Sequence, residues 1–223
     1  MRVAAVLVAA GAGERLGAGL PKALVSLRDR TILDWSVRAF AAHPQVDSLV
    51  VVAPAAAVDA VATAMPAGTT VVPGGTSRQQ SVRRGLAAIG EDIEFVLVHD
   101  AARPLVPEAV ISAVIAALAG GADAVIPVLP VIDTIKRVTE DGLVRNGVDR
   151  TDLRRVQTPQ GFRLALLRAA HEADPPAEPG PITDDAGLLE ALGVAVATVP
   201  GDEAAFKITT SHELLLAELL LAR

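Results

Sequence analysis

Apolar and polar positions along the chain fall into two periods. Short runs rich in β-branched residues, "VAAVLVA" (3–9), "SLVVVA" (48–53), "TTVV" (69–72), "EFVLVH" (94–99), "DAVIPV" (123–128) and "VAVATV" (194–199), predict strands. Between them the apolar positions recur at helical spacing. "TILDWSVRAFAAH" places Ile32, Leu33, Val37, Phe40 and Ala41 on one side, with Thr31 and Asp34 as a capping pair. "SRQQSVRRGLAAIG" does the same with Val82, Leu86 and Ile89, and "PEAVISAVIAALAGG" opens on proline and closes on glycine as a helix does. Alternating strands and helices predict an α/β fold, a Rossmann-like, mostly parallel sheet flanked by helices.

One region breaks the rhythm. In "PVIDTIKRVTEDGLVRNGVDR", 130–150, two β-like runs flank Thr139-Glu140-Asp141-Gly142, and Asp-Gly is a strong hairpin signal. This predicts a β-hairpin arm projecting from the sheet. "EADPPAEPGPITDD" reads as a proline-rich surface loop before a helix in "DDAGLLEAL". No internal repeat or composition break divides the chain, so 1–223 is expected to form a single domain.

Composition narrows the function classes. The 223 residues are 51% hydrophobic, enough for one substantial core, yet no apolar run approaches the roughly 20 residues that span a bilayer. Met1-Arg2-Val3 leads straight into the first strand without the zones of a signal peptide, which points to the cytoplasm. The absence of cysteine excludes thiolate catalysis and Cys-based zinc sites. A net charge of −6 argues against a nucleic-acid backbone as partner, and one Trp, four Phe and no Tyr leave little to stack bases on. An anionic ligand therefore needs a local basic cluster.

"VAAGAGERLGAGLPKAL", Val8 to Leu24, offers one. A dinucleotide fingerprint would need an acid at the end of the second strand, where "VVVAPAAA" stands, and a P-loop would need Gly-Lys before Ser or Thr. What remains is a glycine-rich turn carrying Arg15 and Lys22, whose backbone N–H groups can wrap a polyphosphate while the two cations neutralise it. A flexible turn with solvated charges is the competing reading, and the Pro21-Lys22 dipeptide favours function.

"AAGAGERLGAGLPK", "GGTSRQQSV", "VHDAARP", "DTIKR", "VDR", "QTPQGF", "ITDDA" and "FKIT" occur in the order found in 2-C-methyl-D-erythritol 4-phosphate cytidylyltransferases, within the sugar-phosphate nucleotidyltransferases. The chain resembles that family over its whole length. The resemblance implies an enzyme joining CTP and 2-C-methyl-D-erythritol 4-phosphate, with release of pyrophosphate, in non-mevalonate isoprenoid biosynthesis. It implies that Arg15 and Lys22 stabilise the transition state and that Arg150 and Lys207 position the sugar-alcohol phosphate. Ala9, Ala10, Gly11, Ala12, Gly13, Gly74, Gly75, Ser81, Asp100 and Ala101 are the nucleotide-binding candidates. Asp100, Arg103, Thr134, Arg150, Thr158 and Lys207 are those for the sugar-phosphate, and Arg78 is a supporting charge.

Each residue type has a plainer reading. Surface ion pairing would explain Arg150 in "DRTDLRR", and Lys207 could lie over the core. His99, ending a buried strand, reads as a satisfied core histidine, and Ser77 as a helix cap. Asp184-Asp185 reads as a helix start rather than a metal pair, and His43, His99, His171 and His212 lack ligand spacing. A divalent cation such as Mg²⁺ is expected to be held mainly by CTP phosphates and water, with few protein ligands. The resemblance further implies a homodimer whose arms bring Thr134 and Arg150 into the partner's site. Val8, Ala23 and Ala205 depart from the family pattern and bear on how Lys22 and Lys207 are positioned. A ribitol 5-phosphate cytidylyltransferase and a non-catalytic nucleotide-binding regulator remain the alternatives.

Overall fold

A computed structural model describes residues 1–11, 21–173 and 182–222. Its strands are β1 (Val3–Val8), β2 (Ser26–Leu27), β3 (Arg30–Thr31), β4 (Ser48–Ala53), β5 (Thr69–Pro73), β6 (Phe95–Asp100), β7 (Ala124–Pro130), β8 (Lys136–Val138), β9 (Val144–Gly147), β10 (Arg154–Val156), β11 (Gln160–Arg163) and β12 (Val196–Pro200). The α-helices are α1 (Ile32–Ala41), α2 (Val58–Ala64), α3 (Arg78–Ala87), α4 (Glu108–Ala119), α5 (Leu164–Glu172), α6 (Asp185–Ala191) and α7 (Ser211–Leu220).

The central sheet runs β10-β7-β11-β6-β1-β4-β5, with β12 also pairing with β7. β1 pairs in parallel with β4 and β6, β4 with β5, and β12 with β7. β10 and β11 run antiparallel to their neighbours. The predicted mostly parallel sheet is thus present, but sequence periodicity did not announce β10 and β11. They are three and four residues long, "RRV" and "QGFR", too short and too polar to alternate.

Period two along each central strand sends alternate side chains to opposite faces. Val3, Ala5 and Leu7 of β1 pack with Leu33, Val37 and Phe40 of α1 and with Val110, Ile111 and Val114 of α4. Ala4 and Val6 pack on the other side with Val82 and Leu86 of α3, Leu167 of α5 and Leu189 of α6. A third, smaller cluster of Val25, Leu27, Ile32, Ile208 and Ala217 seats α7. No helix of the described residues is long and apolar enough to cross a membrane.

The hairpin is present: β8 and β9 form a separate antiparallel pair, closed by the Gly142 N–H donating to the Thr139 carbonyl at 3.0 Å. It is shorter than 130–150, because Pro130 still pairs in β7 with Arg154. The arm exposes Ile132, Val138, Leu143 and Val144. Ser77 caps α3 by accepting from the Gln80 N–H, and Thr31 caps α1 by accepting from the Asp34 N–H. The proline-rich loop lies mostly in 174–181, outside the described residues.

Candidate active site

The carboxyl ends of β1 and β6 lie side by side, Val8 opposite Asp100, where ligands of open α/β sheets collect. A cleft of about 350 Å³ opens there. Gly11 and Lys22, the described ends of the glycine-rich turn, both line it, as do Ala9 and Ala10. Ala12, Gly13 and Arg15 lie outside the described residues. Lys22 is set by a short helical turn in which the Leu24 N–H donates to the Pro21 carbonyl and the Val25 N–H to that of Lys22.

Across the cleft lie Gly75, Thr76, Ser77, Arg78 and Ser81 from the α3 entry. The Ser81 hydroxyl donates to the Ser77 carbonyl at 2.8 Å and accepts from the Gly75 N–H at 3.0 Å, so it shapes the glycine turn. Gly74 sits so near the first turn that a Cβ there would lie 2.1 Å from the Ala10 Cβ. Arg84 reaches back from α3 and donates to the Gly74 carbonyl at 2.7 Å. Thr76 and Arg84 escaped the sequence reading because their roles lie in loop contacts with no periodicity.

Asp100 is the electrostatic hub. Its Oδ1 accepts from Arg78 Nε at 3.3 Å and its Oδ2 from Lys207 Nζ at 2.7 Å. Burial opposes its ionisation, but Arg78 and Lys207 outweigh it and hold the carboxyl well below the usual carboxylate range. Arg78 also meets Asp185 at 2.7 Å. Asp185, 1% exposed at the head of α6, in turn accepts from His171 Nε2 at 3.2 Å. The aspartate pair therefore starts a helix as expected: Asp184 accepts from the Gly187 N–H, and Asp185 anchors the cleft arginine. Lys22, Arg78 and Lys207 against Asp100 give the described lining a positive balance in a chain of net charge −6.

The "HDAARP" and "FKIT" segments are stitched together. Arg103 donates to the Ala205 carbonyl at 2.8 Å, and the Ile208 N–H to the Ala102 carbonyl at 2.8 Å, which delivers Lys207 to Asp100. Arg103 commits its guanidinium to this seam and to the Val156 carbonyl, and does not line the cleft. Buried Ala101 is held by Ser36, whose hydroxyl donates to its carbonyl at 2.8 Å. Thr158 is buried behind Asp100, whose N–H donates to its hydroxyl at 3.1 Å. Thr134 and Arg150 stay on the exposed arm and are not brought to the cleft of their own chain. Of the departing positions, Val8 and Ala23 line the cleft and Ala205 is buried in the seam.

The family model described as "IspD: 2-C-methyl-D-erythritol 4-phosphate cytidylyltransferase" matches residues 3–223. A 2-C-methyl-D-erythritol 4-phosphate cytidylyltransferase of Frankia casuarinae is 51% identical over 222 residues, spanning 100% of this chain and 82% of that protein. One of Saccharopolyspora erythraea is 48% identical over 229 residues, covering 100% of both. Among solved structures, the enzyme of that name from Thermus thermophilus superposes with a TM-score of 0.81 at 37% identity over 100% of both chains. The 4-diphosphocytidyl-2C-methyl-D-erythritol synthase of Anaerococcus prevotii reaches 0.85 at 28% identity, covering 100% of this chain and 96% of that one. A cleft with a cationic lining at the parallel strand ends, and a match along the whole chain, lead to one assignment: the chain belongs to the IspD family of cytidylyltransferases, which are nucleotidyltransferase enzymes.

Proposed function

We propose that the chain joins CTP to 2-C-methyl-D-erythritol 4-phosphate, giving 4-diphosphocytidyl-2-C-methyl-D-erythritol and pyrophosphate, in the cytoplasm. The observation that carries this is the Lys207–Asp100–Arg78 array facing the ends of the glycine-rich turn across one cleft. A phosphate monoester, with a second pKa of about 6, is largely dianionic near neutral pH, so its oxygen can attack the α-phosphorus without a base. The new bond forms between that oxygen and the α-phosphorus, and the bond to the bridging oxygen breaks, its electron pair leaving with pyrophosphate. Catalysis then rests on placing two anions together and neutralising charge.

The acid–base inventory agrees. Asp100 is the carboxylate of the described lining, and its depressed pKa makes it a poor proton acceptor. Arg15 and Lys22 would hold the triphosphate, with the Gly74-Gly75 turn and Ser81 shaping the cytosine pocket. Lys207 and the partner's arm would hold the sugar-alcohol phosphate.

Among the described residues no three His, Cys, Asp or Glu side chains gather as a metal site. A divalent cation would be carried mainly by CTP phosphates and water, with Asp100, the carboxylate of the described lining, placed to meet its water shell. Such an ion supplies charge withdrawal from the phosphate oxygens. The whole of 1–223 would act as one nucleotidyltransferase domain, with 130–150 as a dimerisation arm. Its exposed Ile132, Val138, Leu143 and Val144 support a partner surface there.

Pyrophosphate release from CTP with methylerythritol phosphate, and separately with ribitol 5-phosphate, tests this reading. Release with the first at far higher kcat/KM is expected. Preference for ribitol 5-phosphate would reassign the substrate, and CTP binding with no pyrophosphate from either would make the chain a regulator.

A further inference from the structure

Asp100, Arg103 and Thr158 converge on a buried imidazole that the proposed reaction does not use. His99 is 0% exposed, and its ring packs on Phe40 with centroids 4.7 Å apart. Nε2 lies 3.2 Å from the Arg103 carbonyl, and Nδ1 lies 3.0 Å from the Thr158 hydroxyl.

These contacts fix the protons. A carbonyl only accepts, so Nε2 carries the ring proton. The Thr158 oxygen already accepts from the Asp100 N–H, which leaves its single proton for Nδ1. A second ring proton is disfavoured, because burial pushes the imidazole down to about 4. Nδ1 therefore accepts. An apolar filler of the same shape would leave the Arg103 carbonyl and the Thr158 hydroxyl buried without these partners.

We propose that His99 is a positioning residue: the Arg103 carbonyl holds the proton of its neutral imidazole on Nε2, which leaves Nδ1 as the acceptor that locks the Thr158 hydroxyl and so sets Asp100 against Lys207. This rests on the cytidylyl-transfer reading, since the array it sets is the one assigned to the phosphates. It also gives Thr158 a role from behind the site. Its hydroxyl proton is committed to His99, so it has none to offer a phosphate oxygen.

Two substitutions separate the nitrogens. His99→Asn places a carbonyl oxygen near the Nδ1 position and keeps the acceptor for Thr158. His99→Gln keeps an N–H for the Arg103 carbonyl and loses that acceptor. His99→Gln should lower kcat by about tenfold with KM for CTP changed less than about twofold, while His99→Asn stays within about threefold of the parent. Thr158→Val should match His99→Gln, and the double variant should be no worse than either. Imidazole ¹⁵N spectra of the parent should show the Nε2–H tautomer at neutral pH, with the Nδ1 signal shifted in Thr158→Val.

Additive losses, equal losses in the two His99 variants, or an Nδ1–H tautomer or imidazolium in the parent would overturn the proposal. If both His99 variants fail to fold, the parent spectrum and Thr158→Val still decide it. If the parent releases no pyrophosphate, the reaction reading is what fails, and the tautomer and its response to Thr158→Val judge His99 independently.

Discussion

Lys207 Nζ lies 2.7 Å from Asp100 Oδ2 although 107 positions separate the two residues. The contact closes the seam between the end of β6 and the segment before α7, and aims an ammonium at the cleft. Lys207→Met should therefore lower kcat/KM by about 10² to 10³, the scale for removing one preorganised charge donor. Stability should hardly change, because the lysine side chain is 39% exposed and such pairs contribute little. Steady-state kinetics and a melting curve check both. A large drop in melting temperature with parental turnover would make the lysine part of the scaffold instead.

That contact also shows how far the sequence could be read. β1, β4, β5, β6 and β7 were legible because their apolar runs are interrupted by amphipathic helices, and the arm because Asp-Gly marks its turn. β10 and β11 carry no alternation, and the leucines of α7 fall on too many sides to define a face. At the site, Lys22 stood out through its glycine-rich surroundings. The tasks of Arg103, Asp185 and Ser36 did not, since each is set by partners distant in sequence that leave no local pattern.

The two glycines before α3 should answer differently to alanine. At Gly74 a Cβ would meet Ala10 Cβ at 2.1 Å, the Ala53 carbonyl at 3.2 Å and Ser81 Oγ at 3.2 Å, none of them the end of a flexible chain. Gly74→Ala should cost about 1–3 kcal/mol and weaken CTP binding, because the first turn must move. At Gly75 a Cβ would meet the Gln80 side chain, whose Oε1 and Cγ can turn aside but whose Cβ, at 2.7 Å, is fixed by the backbone of α3. Gly75→Ala should therefore destabilise as well, by displacing the entry of α3, while the first turn at Ala10 keeps its place. Urea melts and CTP titrations of the two variants make the comparison.

His99 gives stability a pH dependence of defined sign. Burial is the main cause that lowers its pKa from 6.5 to about 4, with Asp100 opposing and Arg103 assisting. The unfolded chain takes up this proton near pH 6.5 and the folded chain only near 4. The stabilisation is therefore complete above about 6.5 and declines as pH falls towards 4, by up to roughly 3 kcal/mol. Asp100 adds little to that decline, since its pKa is lowered from an ordinary 3.8 and its contribution starts to fade only as pH nears that value, most of it being lost below pH 4. Melting temperature measured from pH 7 to 4 should fall in the parent and fall less in His99→Asn. His43, also lowered by burial, keeps a residual slope.

Asp185 is nearly inaccessible and holds both Arg78 and His171. Replacing it with Asn leaves the Arg78 guanidinium without its 2.7 Å partner and free to turn fully onto Asp100, in competition with Lys207. Asp185→Asn should cost about 3 kcal/mol in urea unfolding and lower kcat in the folded fraction. Parental stability would mean that this buried carboxylate contributes little beyond starting its helix.

The arm prediction turns on which chain supplies which residue. If Arg150 serves the partner's cleft and Lys207 its own, Lys207→Ala and Arg150→Ala are each inactive alone. In a mixed dimer, the cleft of the Arg150→Ala chain has its own Lys207 and receives Arg150 from the Lys207→Ala chain. The other cleft lacks both. Random exchange makes about half the dimers mixed, each with one complete site, so mixing equal amounts should restore about a quarter of the parental activity. Restoration should follow the exchange rate and vanish on dilution below the dimer dissociation constant. Two inactive variants that stay inactive after exchange, shown by labelled subunits, would place Arg150 outside the partner's site.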